Sequence, residues 1–448
     1  MSDDRTQRAS EQLAAAWQEE VTLDPDGPQA DRLRATLREV VERLAGIDRT
    51  PCSPGEREAA EWLAERLRAV AGVEVALEEE PSWGTFPPTA TGLGLLGMAG
   101  AALVLRGQRA AGVLLSAAGI AGILDEAQNG PRIVRRLVRR RRATVNVVAR
   151  LGERRTGEPV ARERITGERQ QGERRGPGTL VVIAHHDAPQ TGLIFDQTLQ
   201  RRIYELAPRV IERYKTPLPQ WWTGLAGPAS TLLAAAARRR GFARAGLLLG
   251  TLGTAAVADI WRSPTVAGAN DNLSGVAALV ALAELVRERP VPGLRLMLVS
   301  CGAEETLQDG VRAFLKRHRE ELQPGRTWFV NLDTIGSPHL VMLDAEGPVW
   351  MEEYAGRWLR EEFASCAQRL GVPLQTGFRA RASTDSIIPS RAGYPTVTLV
   401  SMTDWRSPAN YHLPSDIPAN LDYDTVAETT RAVYVLARTL AEDSAGRD

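Results

Sequence analysis

The sequence predicts an α/β fold with a mostly parallel central sheet. Short apolar, β-branched runs alternate with helical segments, and acidic or histidine-bearing motifs sit at the downstream ends of those runs. Ligands gather at the carboxyl ends of strands in such sheets, so motifs placed there point to a site.

The elements follow in order. Residues 30–46 and 55–70 carry Leu, Val, Ala and Trp at helical spacing among Arg and Glu, which predicts two amphipathic helices around the turn-rich RTPCSPGE. Ser53, Pro54 and Glu56 form a helix start. Strands are expected at 73–77, 144–151, 180–184, 294–300, 328–332 and 396–400, with helices at 276–289 and 308–322. Residues 1–31 read as an N-terminal helical extension to a domain at 32–448, and the Gly-, Arg- and Glu-rich stretch 152–176 reads as a mobile charged loop because it has nothing to bury.

Two stretches break the alternation. Each, at 81–127 and 216–261, reads as a hydrophobic helical hairpin with a basic tip, RGQR in the first and RRRGFAR in the second. The leading arms are long enough for a bilayer, whereas the uncharged trailing runs 110–124 and 245–258 are short against the roughly 20 residues needed. Trp83, Trp221, Trp222 and Trp261 fall at the open ends, where an aromatic belt would sit. The competing reading is a pair of water-soluble hairpins packed on each other or on a second subunit.

Lys plus Arg equals Asp plus Glu at 55 each, which removes a global electrostatic case for nucleic acid. Three widely spaced cysteines, Cys52, Cys301 and Cys366, indicate neither a disulfide framework nor a Cys-rich metal site. The acid-bearing amino terminus has no long apolar run, so no cleaved secretion signal is expected.

Three of the five histidines lie in acid-rich motifs: AHHD at 184–187, AGANDNLSG at 267–275, GAEE at 302–305, NLDTIG at 331–336 and YHLPSD at 411–416. Zinc prefers imidazole and carboxylate ligands, and two neighbouring ions need one bridging carboxylate. The motifs supply His185 and Asp333 for one ion, Glu305 and His412 for the other, and Asp271 between them. Asp187, on the same face of an extended segment as His185, is placed to hold the other ring nitrogen. Glu304 is left free beside a ligand, as a general base requires, so Glu304 and Asp187 are the candidate catalytic residues. His186 is expected to be an exposed ring, with a substrate contact as the alternative.

Taken together these motifs resemble metallopeptidase family 28, the co-catalytic zinc exopeptidases of the bacterial leucyl aminopeptidase and glutamate carboxypeptidase type. The resemblance covers about 32–80, 143–192 and 265–440. It implies a three-layer sandwich, two zinc ions on His185, Asp271, Glu305, Asp333 and His412, and Glu304 as base. The chain departs from the family in the long connection between Asp187 and Asn272, which holds the second hairpin. It departs again at Ser383–Ser386, where STDS replaces a segment often reading SDH, so that Ser386 stands in place of histidine.

The expected function is peptide-bond hydrolysis by a zinc exopeptidase, an aminopeptidase in preference to a carboxypeptidase or a one-zinc glutaminyl cyclase. The alternatives are an inactive relative acting as a membrane-associated binding or scaffold protein, and a surface module that places residues 132–142 on anionic lipid. The expected partners are a peptide or aminoacyl substrate and a membrane held through 81–127 and 216–261. Arginines at 132, 135, 136, 139–142, 201, 202, 209 and 213 outnumber those at the hairpin tips, so a cytoplasmic catalytic domain is expected, with a soluble cytoplasmic protein as the alternative.

Overall fold

The structure is a computed structural model that describes residues 27–152, 177–216 and 221–445. Residues 1–26 of the proposed extension and 153–176 of the charged loop lie outside the described residues.

The chain opens with α1 (Pro28–Ala45) and α2 (Pro54–Arg68), then β1 (Glu74–Ser82). Ser53 Oγ accepts the Glu56 amide at 3.1 Å and so starts α2 as its motif predicts. The first insertion follows as α3 (Pro87–Leu105) and α4 (Arg109–Ala127), leading through α5 (Ile133–Val138) to β2 (Arg142–Leu151) and β3 (Gly178–His185). Short helices α6 (Thr198–Leu206) and α7 (Pro208–Glu212) precede the second insertion, α8 (Trp222–Ala237) and α9 (Arg240–Arg262). Then come α10 (Ser274–Glu288), β4 (Leu294–Cys301), α11 (Asp309–Arg317), β5 (Thr327–Leu332), β6 (His339–Glu346) and β7 (Glu352–Glu353). The chain ends with α12 (Arg357–Arg369), β8 (Leu374–Ala380), α13 (Ile387–Arg391), β9 (Thr396–Met402) and α14 (Tyr423–Ala445).

The strands form one sheet in the order β1-β2-β4-β3-β5-β9-β6-β7, with β8 also beside β6. Its centre, β4-β3-β5-β9, is parallel throughout, and antiparallel pairs flank it on both sides. Alternation along β3 separates two cores. Leu180, Val182 and Ala184 face α1, α2, α10, α12 and α14, while Val181 and Ile183 face Val311 and Phe314 of α11 and Ile387 and Ile388 of α13. This is the three-layer arrangement. Strands β6 and β8 were not anticipated, because their paired edges mix apolar residues with His, Asp, Gln and Arg.

The trailing arms of the hairpins are longer than their uncharged runs. Helix α4 has 19 residues and continues through Asp125 and Glu126, and α9 has 23, beginning at Arg240. Charged residues extend both helices because backbone hydrogen bonding does not stop where hydrophobicity does. The hairpins pack on each other as a four-helix unit with small residues inside. A Cβ on Gly100 would stand 2.4 Å from Ser116 Oγ, and one on Gly227 would stand 2.7 Å from the Gly250 backbone. Large apolar side chains point outward instead: Leu114 is 70% exposed and Leu248 62%. A water-soluble bundle has the reverse distribution. Helices α3, α4 and α9 are long and apolar enough to cross a membrane. The apolar segment Ala269–Glu288 that contains α10 also passes that test but is 94% buried in the sandwich, which makes α10 a core helix.

Arg132 and Arg135, counted above among the basic residues at the open ends, are not at the surface. They are buried against Asp309 and Glu126, respectively.

Candidate metal centre

The sheet delivers the candidate residues to one place. His185 is the last residue of β3, Glu304 and Glu305 follow β4, Asp333 follows β5, His412 lies in the loop after β9, and Asp271 sits in the turn before α10. Four adjacent parallel strands, β4, β3, β5 and β9, thus end at the same site.

Asp271 is the centre of the geometry. Its Oδ1 lies 3.2 Å from His185 Nε2 and its Oδ2 lies 3.1 Å from His412 Nε2. Glu305 Oε1 is 3.7 Å from the same His412 nitrogen. Three sets of donor atoms lie within 4.8 Å of one another: His185, Asp271 and Asp333; Asp271, Glu305 and His412; and His185, Glu304 and Glu305. The first two share Asp271.

The electrostatics are those of a site short of positive charge. Burial pushes Asp333 up to about 7, with nearby Asp271 adding to it. Burial likewise pushes Glu304 and Glu305 well above the usual carboxylate range, and neighbouring acids contribute further. Asp271 behaves oppositely: burial disfavours its charge, but hydrogen bonds to His185 and His412 hold it below the ordinary value.

Asp187 does more than the sequence suggested. The His185 Nδ1 partner at hydrogen-bonding distance is the backbone carbonyl of Asp187, at 3.2 Å. The Asp187 carboxylate is 3.5 Å from that nitrogen and accepts the amides of Glu304 at 3.0 Å and Glu305 at 2.9 Å. It therefore orients the turn that carries both glutamates. His186 is neither exposed nor at the site. Pointing to the opposite face from its neighbour, it is buried with Nδ1 at 2.9 Å from Ser300 Oγ, and burial lowers its pKa to about 4. Ser386 is also buried and accepts a hydrogen bond from Thr398 at 2.7 Å, while burial raises Asp385 beside it to about 7.

Several positioning residues escaped the sequence analysis. Glu56 accepts the Ala303 amide at 2.7 Å and Thr144 Oγ1 at 2.8 Å, fixing the residue before Glu304 in a left-handed conformation. Gln308 Nε2 donates to Glu304 Oε1 at 2.6 Å. Asp416 accepts the amides of Asn270 at 2.7 Å and Asp271 at 3.1 Å. Buried Arg49 ties His186 to Ala267 through their carbonyls, at 2.8 and 2.7 Å. Glu56 and Asp416 stood inside quoted motifs, but only long-range contacts give them a role.

A cleft over Glu305 and His412 is walled by residues that include Phe86, Pro87, Phe195 and Ile260. A larger concavity between α1 and α10, lined in part by Leu33, Thr36 and Glu284, holds none of the candidate ligands, so size does not mark the site.

A search of curated proteins by sequence gives no match. Among solved structures, Legionella pneumophila LapA is similar at 11% identity and a TM-score of 0.51, covering 94% of this chain and 76% of that one. The aminopeptidase from Aneurinibacillus sp. strain AM-1 is similar at 12% identity and a TM-score of 0.50, covering 94% and 95%. Legionella pneumophila LapB gives 12% and 0.50, covering 93% and 75%. At such identities these likenesses speak to the fold. The peptidase family M28 model matches residues 251–437, a segment that includes Asp271, Glu304, Glu305, Asp333 and His412, with His185 ahead of it beyond the second insertion. Over that segment the chain is similar to peptidase family M28.

Proposed function

We propose that the protein is a dinuclear zinc aminopeptidase attached to a membrane, with its catalytic domain on the cytoplasmic side. The observation that carries the reading is Asp271, whose two oxygens face two different histidines at 3.2 and 3.1 Å. The donor set fits two divalent cations, since imidazole and carboxylate are zinc's preferred ligands and the surplus of buried acids calls for added positive charge. His185 and Asp333 would hold one ion, Glu305 and His412 the other, and Asp271 both. Zinc bound there would polarise the scissile carbonyl and acidify a water.

Glu304 is buried beside the ligands and is not needed as one, so it serves as the general base, taking the proton from the attacking water and delivering it to the leaving amine. Gln308 and the Asp187 clamp fix its position. Among the described residues that line the cleft, Glu305 is an acid and none is Lys or Arg. A lining without a cation has nothing to pair with a substrate's carboxyl terminus, and this supports aminopeptidase over carboxypeptidase action. Arg49 does not change that, because its guanidinium is committed to backbone carbonyls.

Membrane attachment is supported by the small-inside, large-outside bundle and by helix length. Nineteen residues of α3 rise about 28 Å, against a hydrocarbon core of about 30 Å. Orientation follows the basic residues that remain exposed at the open ends, among them Arg140, Arg141, Arg201 and Arg202. The test is zinc content of the purified protein together with turnover of aminoacyl amides. Two zinc ions per chain and release of the amino-terminal residue are expected; a metal-free, inactive protein would leave the scaffold reading in its place.

A further inference from the structure

The first insertion ends on the turn that carries the proposed base. Helix α4 stops at Ala127, and just beyond it Asn129 donates from Nδ2 to Ser383 Oγ at 2.6 Å. The Ser383 carbonyl accepts from Gln308 Nε2 at 2.9 Å, and the same nitrogen donates to Glu304 Oε1 at 2.6 Å. A hydrogen-bonded path thus joins the end of the insertion to Glu304 through side chains far apart in the chain. The two amide hydrogens of Gln308 divide between these acceptors, so Ser383 fixes the plane from which Gln308 reaches the carboxylate.

A second path runs beside the first. Asn129 Oδ1 accepts from Arg132 at 2.7 Å, Arg132 pairs with the Asp309 carboxylate, and Asp309 also accepts the Ser82 hydroxyl at 2.6 Å. Arg135, paired with Glu126 of α4, donates to the Thr306 carbonyl. Thr306 and Asp309 bracket Leu307 and Gln308, whose backbones are both left-handed, at φ 70° and 65°. Neither side chain favours that conformation, so the turn is held by what packs on it. Asn129, Arg132, Arg135, Gln308 and Asp309 are all buried, where water does not compete for these bonds.

We infer that Asn129 is a positioning residue for the proposed base: acting through Ser383 and Gln308 it fixes the Glu304 carboxylate, so that the first insertion helps set the rate of the chemical step. The inference rests on the peptidase reading above. Gln308 occupies one carboxylate oxygen and leaves the other for the proton of the attacking water. Loosening Asn129 lets that second oxygen wander from the water without touching the metal ligands, and such displacement lowers the rate of proton transfer more than it lowers binding.

The experiment uses the full chain in nanodiscs, zinc-loaded for turnover of a leucyl amide and metal-free for amide hydrogen exchange. Asn129→Leu removes both side-chain bonds and is expected to lower kcat about tenfold, with KM changed less than about twofold. It should also speed exchange at Glu304, Glu305, Gln308 and Asp309, whose amides are hydrogen-bonded within the site. Asn129→Asp keeps the acceptor for Arg132 and takes a hydrogen bond from the Ser383 hydroxyl, so it is expected to bring kcat back to within about threefold of the wild type. Added to Gln308→Leu, Asn129→Leu should lower kcat by less than about twofold more, because its effect passes through Gln308. Ser383→Ala deletes one oxygen from the path and carries the same expectation if Asn129→Leu fails to fold. An unchanged kcat in Asn129→Leu and Ser383→Ala, or an undiminished Asn129→Leu effect in the Gln308→Leu background, overturns the inference. The exchange measurement separates it from the reading beneath it. Faster exchange in Asn129→Leu, reversed in Asn129→Asp, with no turnover by the wild type keeps the link from the insertion to the turn and removes the peptidase activity; unchanged exchange removes the link.

Discussion

The Asp187 carboxylate accepts the backbone amides of Glu304 and Glu305, at 3.0 and 2.9 Å, while its own carbonyl lies 3.2 Å from His185 Nδ1. One residue thus couples the end of β3 to the turn after β4 and sets the spacing between a candidate ligand and the candidate base. Asparagine at this position offers one oxygen to two donors and turns its NH2 toward the second amide. Asp187→Asn should therefore lower activity or zinc affinity about 10- to 100-fold with the fold retained, read by steady-state kinetics and metal titration. Wild-type behaviour in both would remove the coupling role.

Glu304→Gln keeps the shape and the Gln308 contact but cannot accept a proton. Turnover should fall by about two to four orders of magnitude while zinc content stays at the wild-type level, measured on the same preparation. Substantial residual activity would assign the base elsewhere.

Glu56→Ala leaves the buried Ala303 amide and Thr144 hydroxyl without their acceptor. A loss of about 1–3 kcal/mol in stability is expected from chemical denaturation, together with reduced activity because Ala303 precedes the base. An effect on stability alone would make Glu56 a purely structural residue.

The pH dependence of stability should carry a signature far from the metal centre. Burial alone would lower the pKa of His318, but hydrogen bonds to Glu321 and Glu78 overcome it and raise the pKa from 6.5 to about 9. With the folded value above the unfolded one, the stabilisation is complete below 6.5 and is lost as pH rises through 9. Solvent screening at the partly exposed partner Glu321 limits it to about 1 kcal/mol. Thermal unfolding from pH 6 to 10 should show a decline that His318→Gln flattens.

If the inverted bundle lies in lipid, the protein should remain with the membrane fraction after a carbonate wash. Release into the soluble fraction would mean that the outward leucines are covered by protein instead.

The candidate site residues and the parallel centre of the sheet were legible in the sequence because each depends on local order. Fully buried parallel strands must be apolar runs, and a site at their carboxyl ends must draw its residues from the motifs that follow them. The structure brings His185, Asp271, Glu304, Glu305, Asp333 and His412 close to one another. Tertiary structure decided what those motifs do to one another. Whether Asp187 serves the His185 imidazole alone or two amides as well, whether His186 is exposed or buried, and whether Arg132 and Arg135 face lipid or an acid all depend on residues distant in the chain. The same holds for the hairpins: hydropathy marked their length, but only packing revealed glycines inside and leucines outside, because a side chain's environment is set by what the rest of the fold places against it.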